Sequence, residues 1–208
     1  MSTDDPHAVV DEAGLAALYT QPSGNALAKV LDHVSEDYRR FIEAAPFVVL
    51  ATGGPHGLDV SPRGDPAPVA TVLDSATLAL PDRPGNNRLD SLRNILRDAR
   101  VALLFLIPGI GETMRVQGRA RITTDPGLMT RFSVNGRPPV SVLVISVERV
   151  YFQCQKALRR SALWEPAAQV DRQSLPSTGE MLQTMTDGAV DGSAYDADYP
   201  DRMKRTLY

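Results

Sequence analysis

The sequence predicts a mainly β fold of the α+β kind, a small barrel with helical additions. Two observations carry the prediction. Between residues 47 and 155, short apolar runs rich in Val, Ile, Leu and Phe recur at close spacing, broken by turns bearing Gly, Pro and Asp, as in a small antiparallel barrel. Helical periodicity is confined to a few short stretches before, between and after them. With 208 residues, the chain is long enough for one well-buried domain plus terminal additions.

Residues 1–22 read as a loosely docked arm ending in the turn-like Gln21-Pro22-Ser23-Gly24. A helix is expected over 25–33, with Leu27, Val30 and Leu31 on one side. Ser35 can cap a second helix that presents Tyr38, Phe41 and Ile42 and stops at Pro46. Residues 47–52 form a strand, the turn Gly53-Gly54-Pro55-His56-Gly57 follows, and 58–63 continues extended with Pro62 at an edge or bulge. Runs 68–73 and 77–80 flank Asp74-Ser75-Ala76 as a hairpin. Asn86 or Asn87 can cap a helix with Leu89, Leu92, Ile95 and Ala99 at helical spacing. Strands are expected over 101–107 and 112–123, the second with Val116, Gly118, Ala120 and Ile122 on one side. Asp125-Pro126 starts a short helix, 140–147 and 150–155 supply more strand, and 156–163 a short helix. Ser177-Thr178-Gly179-Glu180 is a capping-box pattern ahead of Met181, Leu182 and Met185.

Composition narrows the function classes. Hydrophobic residues make up 43% and charged residues 23%, as in ordinary soluble domains, and the formal charge of -3 lacks the basic excess of a nucleic-acid or anionic-membrane binder. One cysteine, Cys154, precludes an internal disulfide framework. No apolar run is long enough to span a bilayer, and residues 1–9 lack the regions of a secretory signal, so a cytoplasmic location is expected. The three histidines, His7, His33 and His56, pair neither with one another nor with Cys154 at a ligand spacing, so no metal centre is expected. There is no Gly-x-Ser-x-Gly elbow, dinucleotide fingerprint or Gly-Lys-Ser/Thr phosphate loop.

The chemistry-bearing segment is Pro81-Asp82-Arg83-Pro84-Gly85-Asn86-Asn87-Arg88, joining a strand to a helix. Unpaired N–H groups at a helix start, together with forked guanidinium donors, suit a phosphate monoester. A polar turn with an ordinary asparagine cap accounts equally well for its composition. Arg93, Arg97 and Arg100 read as a solvated helix face. In Ser61-Pro62-Arg63-Gly64-Asp65, Arg63 could reach the same anion and Asp65 could pair with it, or the segment is a surface turn with a modest ion pair. Lys156, Arg159, Ser161 and Trp164 form a third, basic-aromatic cluster in which Trp164 can equally be a packing anchor.

The order of these segments resembles the FMN-binding split-barrel superfamily of pyridoxamine 5′-phosphate oxidases, in its pyridoxamine 5′-phosphate oxidase-related bacterial branch. The resemblance runs from about Phe41 to Trp164. It rests on residues 47–52, 61–65, 80–88, 104–109, 115–118 and 154–164. It implies a six-stranded split β-barrel over 35–165, with a 1–34 arm and helix and a 166–208 extension outside it. It also implies a homodimer with FMN at the subunit interface.

Carried over residue by residue, the resemblance assigns the FMN phosphate to Arg63, Arg83, Asn87 and Arg88, with Asn86 beside them. Ser61 to Asp65 and Leu80 to Asp82 would line the ribityl chain and ring. Lys156, Arg159, Ser161 and Trp164 would close the pocket from the opposite subunit. The chain departs from the oxidases proper in lacking their arginine- and tryptophan-rich C-terminal motif, so the resemblance extends to flavin binding and not to vitamin B6 oxidation. The function it implies is an FMN-dependent oxidoreductase moving hydride between flavin and a small molecule. The alternatives are a non-enzymatic flavin carrier or redox sensor, or a barrel binding deazaflavin or haem. No catalytic side chain is nominated, because in flavin enzymes the cofactor carries the redox chemistry.

Overall fold

The computed structural model describes residues 5–208. Residues 1–4 of the expected arm lie outside that range. The remainder of the arm contains a helix the sequence pattern did not reveal, α1 (Glu12–Leu18), capped by Asp11 and burying no residue. Helix α2 (Gly24–Ala28) is shorter than the one expected over 25–33. The chain leaves it because Leu31 pairs with Val150, their N–H groups donating to each other's carbonyls at 3.0 and 2.8 Å.

Helix α3 (Glu36–Glu43) forms where the Ser35 cap places it. Ser35 Oγ accepts the Tyr38 N–H at 3.3 Å, Ile42 is buried, and Tyr38 and Phe41 pack against the same core. Ser35→Ala should lower stability by about 1 kcal/mol. The expected result is a lower urea midpoint at unchanged slope; an unchanged midpoint would mean that the cap contributes nothing.

Seven strands follow: β1 (Phe47–Gly54), β2 (Gly57–Gly64), β3 (Thr71–Asp74), β4 (Thr77–Asp82), β5 (Arg100–Leu106), β6 (Thr113–Thr123) and β7 (Ser141–Gln153). They make one antiparallel sheet in the order β2-β1-β5-β6-β7-β4-β3. The expected count of six is therefore corrected to seven. Runs 140–147 and 150–155 are a single strand with a register shift opposite Gln117 and Gly118. The exposed pair Glu148 and Arg149 interrupts the alternation and makes one strand look like two. Gly118 is required at that shift, since a Cβ would collide with the Ser146 carbonyl.

Hydrogen bonding leaves the sheet open, with β2 and β3 at its two edges. Pro62 lies on edge strand β2, where its missing N–H costs little. The sheet nevertheless curls far enough to bring Arg63 on β2 into contact with Asp82 on β4, near the opposite end of the strand order.

The main core joins Val48 and Leu50 of β1, Leu103 and Phe105 of β5, Met114 and Val116 of β6, and Leu143 and Ile145 of β7. A smaller cluster packs Val142 and Val144 against Phe132, Leu128 and Met129. Leu128 and Met129 belong to α5 (Pro126–Arg131), which Asp125 caps as expected. Strand β7 is thus covered on both faces and reads as a continuous apolar run.

Helix α4 (Asp90–Arg97) packs on β1, β2 and β6. It begins later than the Asn86 or Asn87 cap implied: its N-cap is Leu89, at φ 60°, with no side-chain cap. Asn86 Oδ1 instead accepts the Arg88 N–H at 3.1 Å, and Asn87 takes φ 57°. The two asparagines serve a turn, which their short side chains and tolerance of the left-handed region favour.

After α6 (Lys156–Arg160) come two 3-10 turns and a helical hairpin, α7 (Thr178–Met185) and α8 (Gly192–Thr206). The α7 capping box is complete, Ser177 and Glu180 each accepting the other's backbone N–H. No helix among the described residues is long and apolar enough to cross a membrane.

Candidate functional site

Alternation on β2 turns Leu58, Val60 and Pro62 outward and leaves Asp59, Ser61 and Arg63 half-buried against α4 and β4. These three side chains join one hydrogen-bond chain. Arg63 Nε donates to Ser61 Oγ at 3.2 Å, Ser61 Oγ lies 3.1 Å from Ser91 Oγ, and Ser91 donates to Asp59 Oδ2 at 2.8 Å. At the other end Arg63 Nη1 donates to Asp82 Oδ1. Asp82, on β4, and Ser91, on α4, are both buried.

Asp65 and Arg83 form a second pair. Arg83 donates through Nε and Nη2 to Asp65 Oδ2 at 2.8 and 2.6 Å. The side chains are only 5% and 14% exposed, so this pair is screened little by water. Asp65 therefore does not pair with Arg63, the partner suggested by sequence proximity. Strand β2 ends at Gly64, and the Asp65 N–H turns to the Pro46 carbonyl at 3.1 Å. Tyr208, far away in sequence, donates its hydroxyl to Asp65 Oδ1 at 3.0 Å, and its ring lies 5.5 Å from the Arg83 guanidinium carbon. Burial pushes the Tyr208 phenol above its usual range, with the hydrogen bond to Asp65 next, so it remains a donor at neutral pH.

Beside the Asp59 end of the chain lies a polar cleft of about 380 Å³ between the β1–β2 turn and α4. Arg88, Arg93 and Arg97 line it with Asp59, Asp90, Asn94 and His56. Three guanidiniums face two carboxylates, so the cleft is net cationic. Arg88 is 74% exposed and bonds Asp90 at 2.8 Å, while Arg93 Nη1 donates to the Arg88 carbonyl at 3.0 Å. Asn94 is buried and donates to Thr52 Oγ1 at 3.1 Å, fixing α4 against β1.

The fold thus brings Ser61, Arg63, Asp65, Asp82 and Arg83 into one neighbourhood, with Arg88 on the cleft beyond Ser91. Leu80 sends its side chain into the core, 1% exposed, and offers only backbone to a ligand. Asn86 and Asn87 are exposed in the turn. Lys156, Arg159, Ser161 and Trp164 belong to a different contact set. Trp164 Nε1 donates to the Ile110 carbonyl at 2.8 Å, Arg159 bonds Gln155, and Ser161 bonds the Leu158 carbonyl.

Sequence reasoning missed Asp59, Ser91 and Tyr208. Strand alternation with Ser61 and Arg63 could have found Asp59; Arg93 and Arg97, expected on a solvated helix face, instead line the cleft. It also missed Ser141, paired with Asp82 in the register of β4 and β7 and hence on its face of the sheet. The Ser141 hydroxyl is buried without a hydrogen-bond partner. An orphaned buried hydroxyl is costly and points to a ligand or water that would satisfy it.

A family model described as pyridoxamine 5′-phosphate oxidase matches residues 34–154. No curated protein matches the chain. Among solved structures, HupZ from Group A Streptococcus aligns at 17% identity, covering 56% of this chain and 91% of that one, with a TM-score of 0.47. General Stress Protein 26 from Bacillus anthracis aligns at 18% identity over 54% and 88% of the two chains, with a TM-score of 0.43. An FMN-binding protein from Syntrophomonas wolfei aligns at 12% identity over 55% and 82%, with a TM-score of 0.43.

Proposed function

The chain belongs to the pyridoxamine 5′-phosphate oxidase family, and on that premise we propose that it is an FMN-binding flavoprotein acting as an oxidoreductase on a small molecule. The observation that carries the reading is the arginine-lined cleft, joined through Asp59, Ser91 and Ser61 to the Arg63–Asp82 pair. A phosphate needs cationic forked donors in reach of solvent, which Arg88 and Arg93 offer. A polar ring system needs buried, oriented donors and acceptors, and Ser61, Arg63, Asp82 and the unpartnered Ser141 hydroxyl supply them.

The residues present therefore fit FMN. Arg88, with Asn86, Asn87 and the neighbouring Arg93, would hold its phosphate; Arg63 and Arg83, which the sequence also assigned to the phosphate, are taken up by Asp82 and Asp65 and would, with those carboxylates, Ser61 and the Leu80 backbone, hold the rest. When bound, the flavin supplies the hydride-accepting and hydride-donating chemistry. The chain's own side chains bind, orient and exclude water.

A second copy of the chain is the proposed partner. Leu58 and Val60 are 87% and 62% exposed on edge strand β2. An uncovered apolar edge of this kind invites pairing, and a two-fold dimer would close it. Lys156, Arg159, Ser161 and Trp164 would then face the partner's flavin, with Arg159, Ser161 and Trp164 held in place by their bonds to Gln155, Leu158 and Ile110. The 35–165 unit carries the cofactor in this reading, inside the cell.

Adding FMN to the flavin-free protein should quench flavin fluorescence and saturate at one FMN per chain. A protein that leaves FMN fluorescence unchanged would overturn the proposal. Oxidation of NAD(P)H well above the rate with free FMN separates an oxidoreductase from a flavin carrier or sensor.

A further inference from the structure

The Asp65–Arg83 pair is closed over by a residue 143 positions from Asp65. Tyr208 lays its ring over the Arg83 guanidinium and gives its hydroxyl to Asp65. Arg137, in the turn beyond α5, holds the Tyr208 backbone carbonyl through Nη1. The side chains of Asp65, Arg83 and Arg137 thus fix the position of this residue.

The element that delivers Tyr208 is held together internally. Gly179 of α7 and Gly192 of α8 approach so closely that a Cβ on either would collide with the other helix. Asp196 accepts the Gly179 N–H at 2.8 Å and the Ser177 hydroxyl. Gly179 and Gly192 are the only residues these two helices bury. From Gly192, α8 runs 15 residues, about 22 Å at 1.5 Å per residue, toward the Asp65–Arg83 pair. The hairpin is therefore a stiff lever with little buried attachment of its own, and the contacts of Tyr208 tie its end to the sheet.

We propose that Tyr208 is a displaceable cover on the ligand site, and that it competes with the ligand for Arg83. This rests on the reading of the site as one for a phosphate-bearing flavin. With Asp65 on Nε and Nη2 and the tyrosine ring over its face, Arg83 has little left to offer an incoming ligand. Swinging Tyr208 aside breaks one hydrogen bond to a carboxylate and one cation–π contact. Together these bias the closed state by roughly ten- to a hundredfold, which a tightly bound ligand can reverse.

The test compares the full chain with Tyr208→Ala and Tyr208→Phe. Reaction of Arg83 with phenylglyoxal, located by peptide mass spectrometry, reads the cover without any flavin, and exposed Arg88 serves as the internal reference. Arg83 should react slowly in the parent, about tenfold or more faster in Tyr208→Ala, and at an intermediate rate in Tyr208→Phe, which keeps the ring and loses the hydroxyl. Stopped-flow mixing with FMN should show faster association for Tyr208→Ala. Equal Arg83 reactivity in parent and Tyr208→Ala would overturn the cover. Raised reactivity with an unchanged FMN association rate would overturn the competition. Raised reactivity with no FMN binding by any variant would keep the cover and remove the flavin reading instead.

Discussion

Arg63→Ala is expected to destabilise the protein by about 2–4 kcal/mol, well beyond an ordinary surface change. Asp82 would keep its carboxylate in a side chain 9% exposed with no counter-ion, beside an already unpartnered Ser141 hydroxyl. Breaking a fully buried pair costs about 3–5 kcal/mol. The lower figure applies here because the Arg63 side chain is 20% exposed, so water can reach part of the gap. Ser61 would also lose its donor, unfastening the chain that runs to Ser91 and Asp59. Adding Asp82→Asn to Arg63→Ala should recover part of the loss, because the stranded charge is then gone. Urea denaturation of the two single variants and the double reads this directly. Strictly additive losses would mean that the pair is not coupled.

Arg88→Ala is expected to weaken FMN binding by about 1.5–3 kcal/mol, a roughly 10- to 150-fold rise in Kd. A charge-assisted contact to a phosphate has that size. The fold should be nearly indifferent to the change, within about 0.5 kcal/mol. Arg88 is 74% exposed and its ion pair with Asp90 lies at the surface, where such pairs contribute little. Arg83 is a poorer probe, because its loss also strands the buried Asp65 carboxylate. The split between binding and stability therefore distinguishes a ligand from a structural residue.

The elements that were legible in the sequence declare themselves locally. Ser35 ahead of an apolar helix face, Asp125 before Pro126, Ser177 with Glu180, and Pro62 on a strand edge each act within a few residues of their own position. Other elements depend on distant partners. Helix α2 ends early because Val150 claims Leu31, and Asn86 serves a turn because α4 begins only at Asp90. Helix α8 is hidden by Pro200 inside it and by a polar sequence with no sharp apolar stripe.

The same division runs through the site. The identities of Arg63, Asp65, Asp82 and Arg83 stood out, yet their pairing is crossed relative to sequence proximity, because curling of the sheet brings β2 against the end of β4. Arg93 and Arg97 read as a solvated face until the β1–β2 turn is placed opposite them. Tyr208 leaves no local trace at all. Its role depends on the whole length of the α7–α8 hairpin.

The most direct measurement of the central claim is a four-way titration, with FMN and riboflavin each added to the parent and to Arg88→Ala. Riboflavin carries the same ring and ribityl chain without the phosphate. A flavin site with its phosphate on the arginine-lined cleft predicts that the parent prefers FMN, and that Arg88→Ala loses roughly 10- to 150-fold for FMN while riboflavin affinity stays put. A parent that binds neither flavin, or an Arg88→Ala variant whose FMN affinity is unchanged, would contradict it.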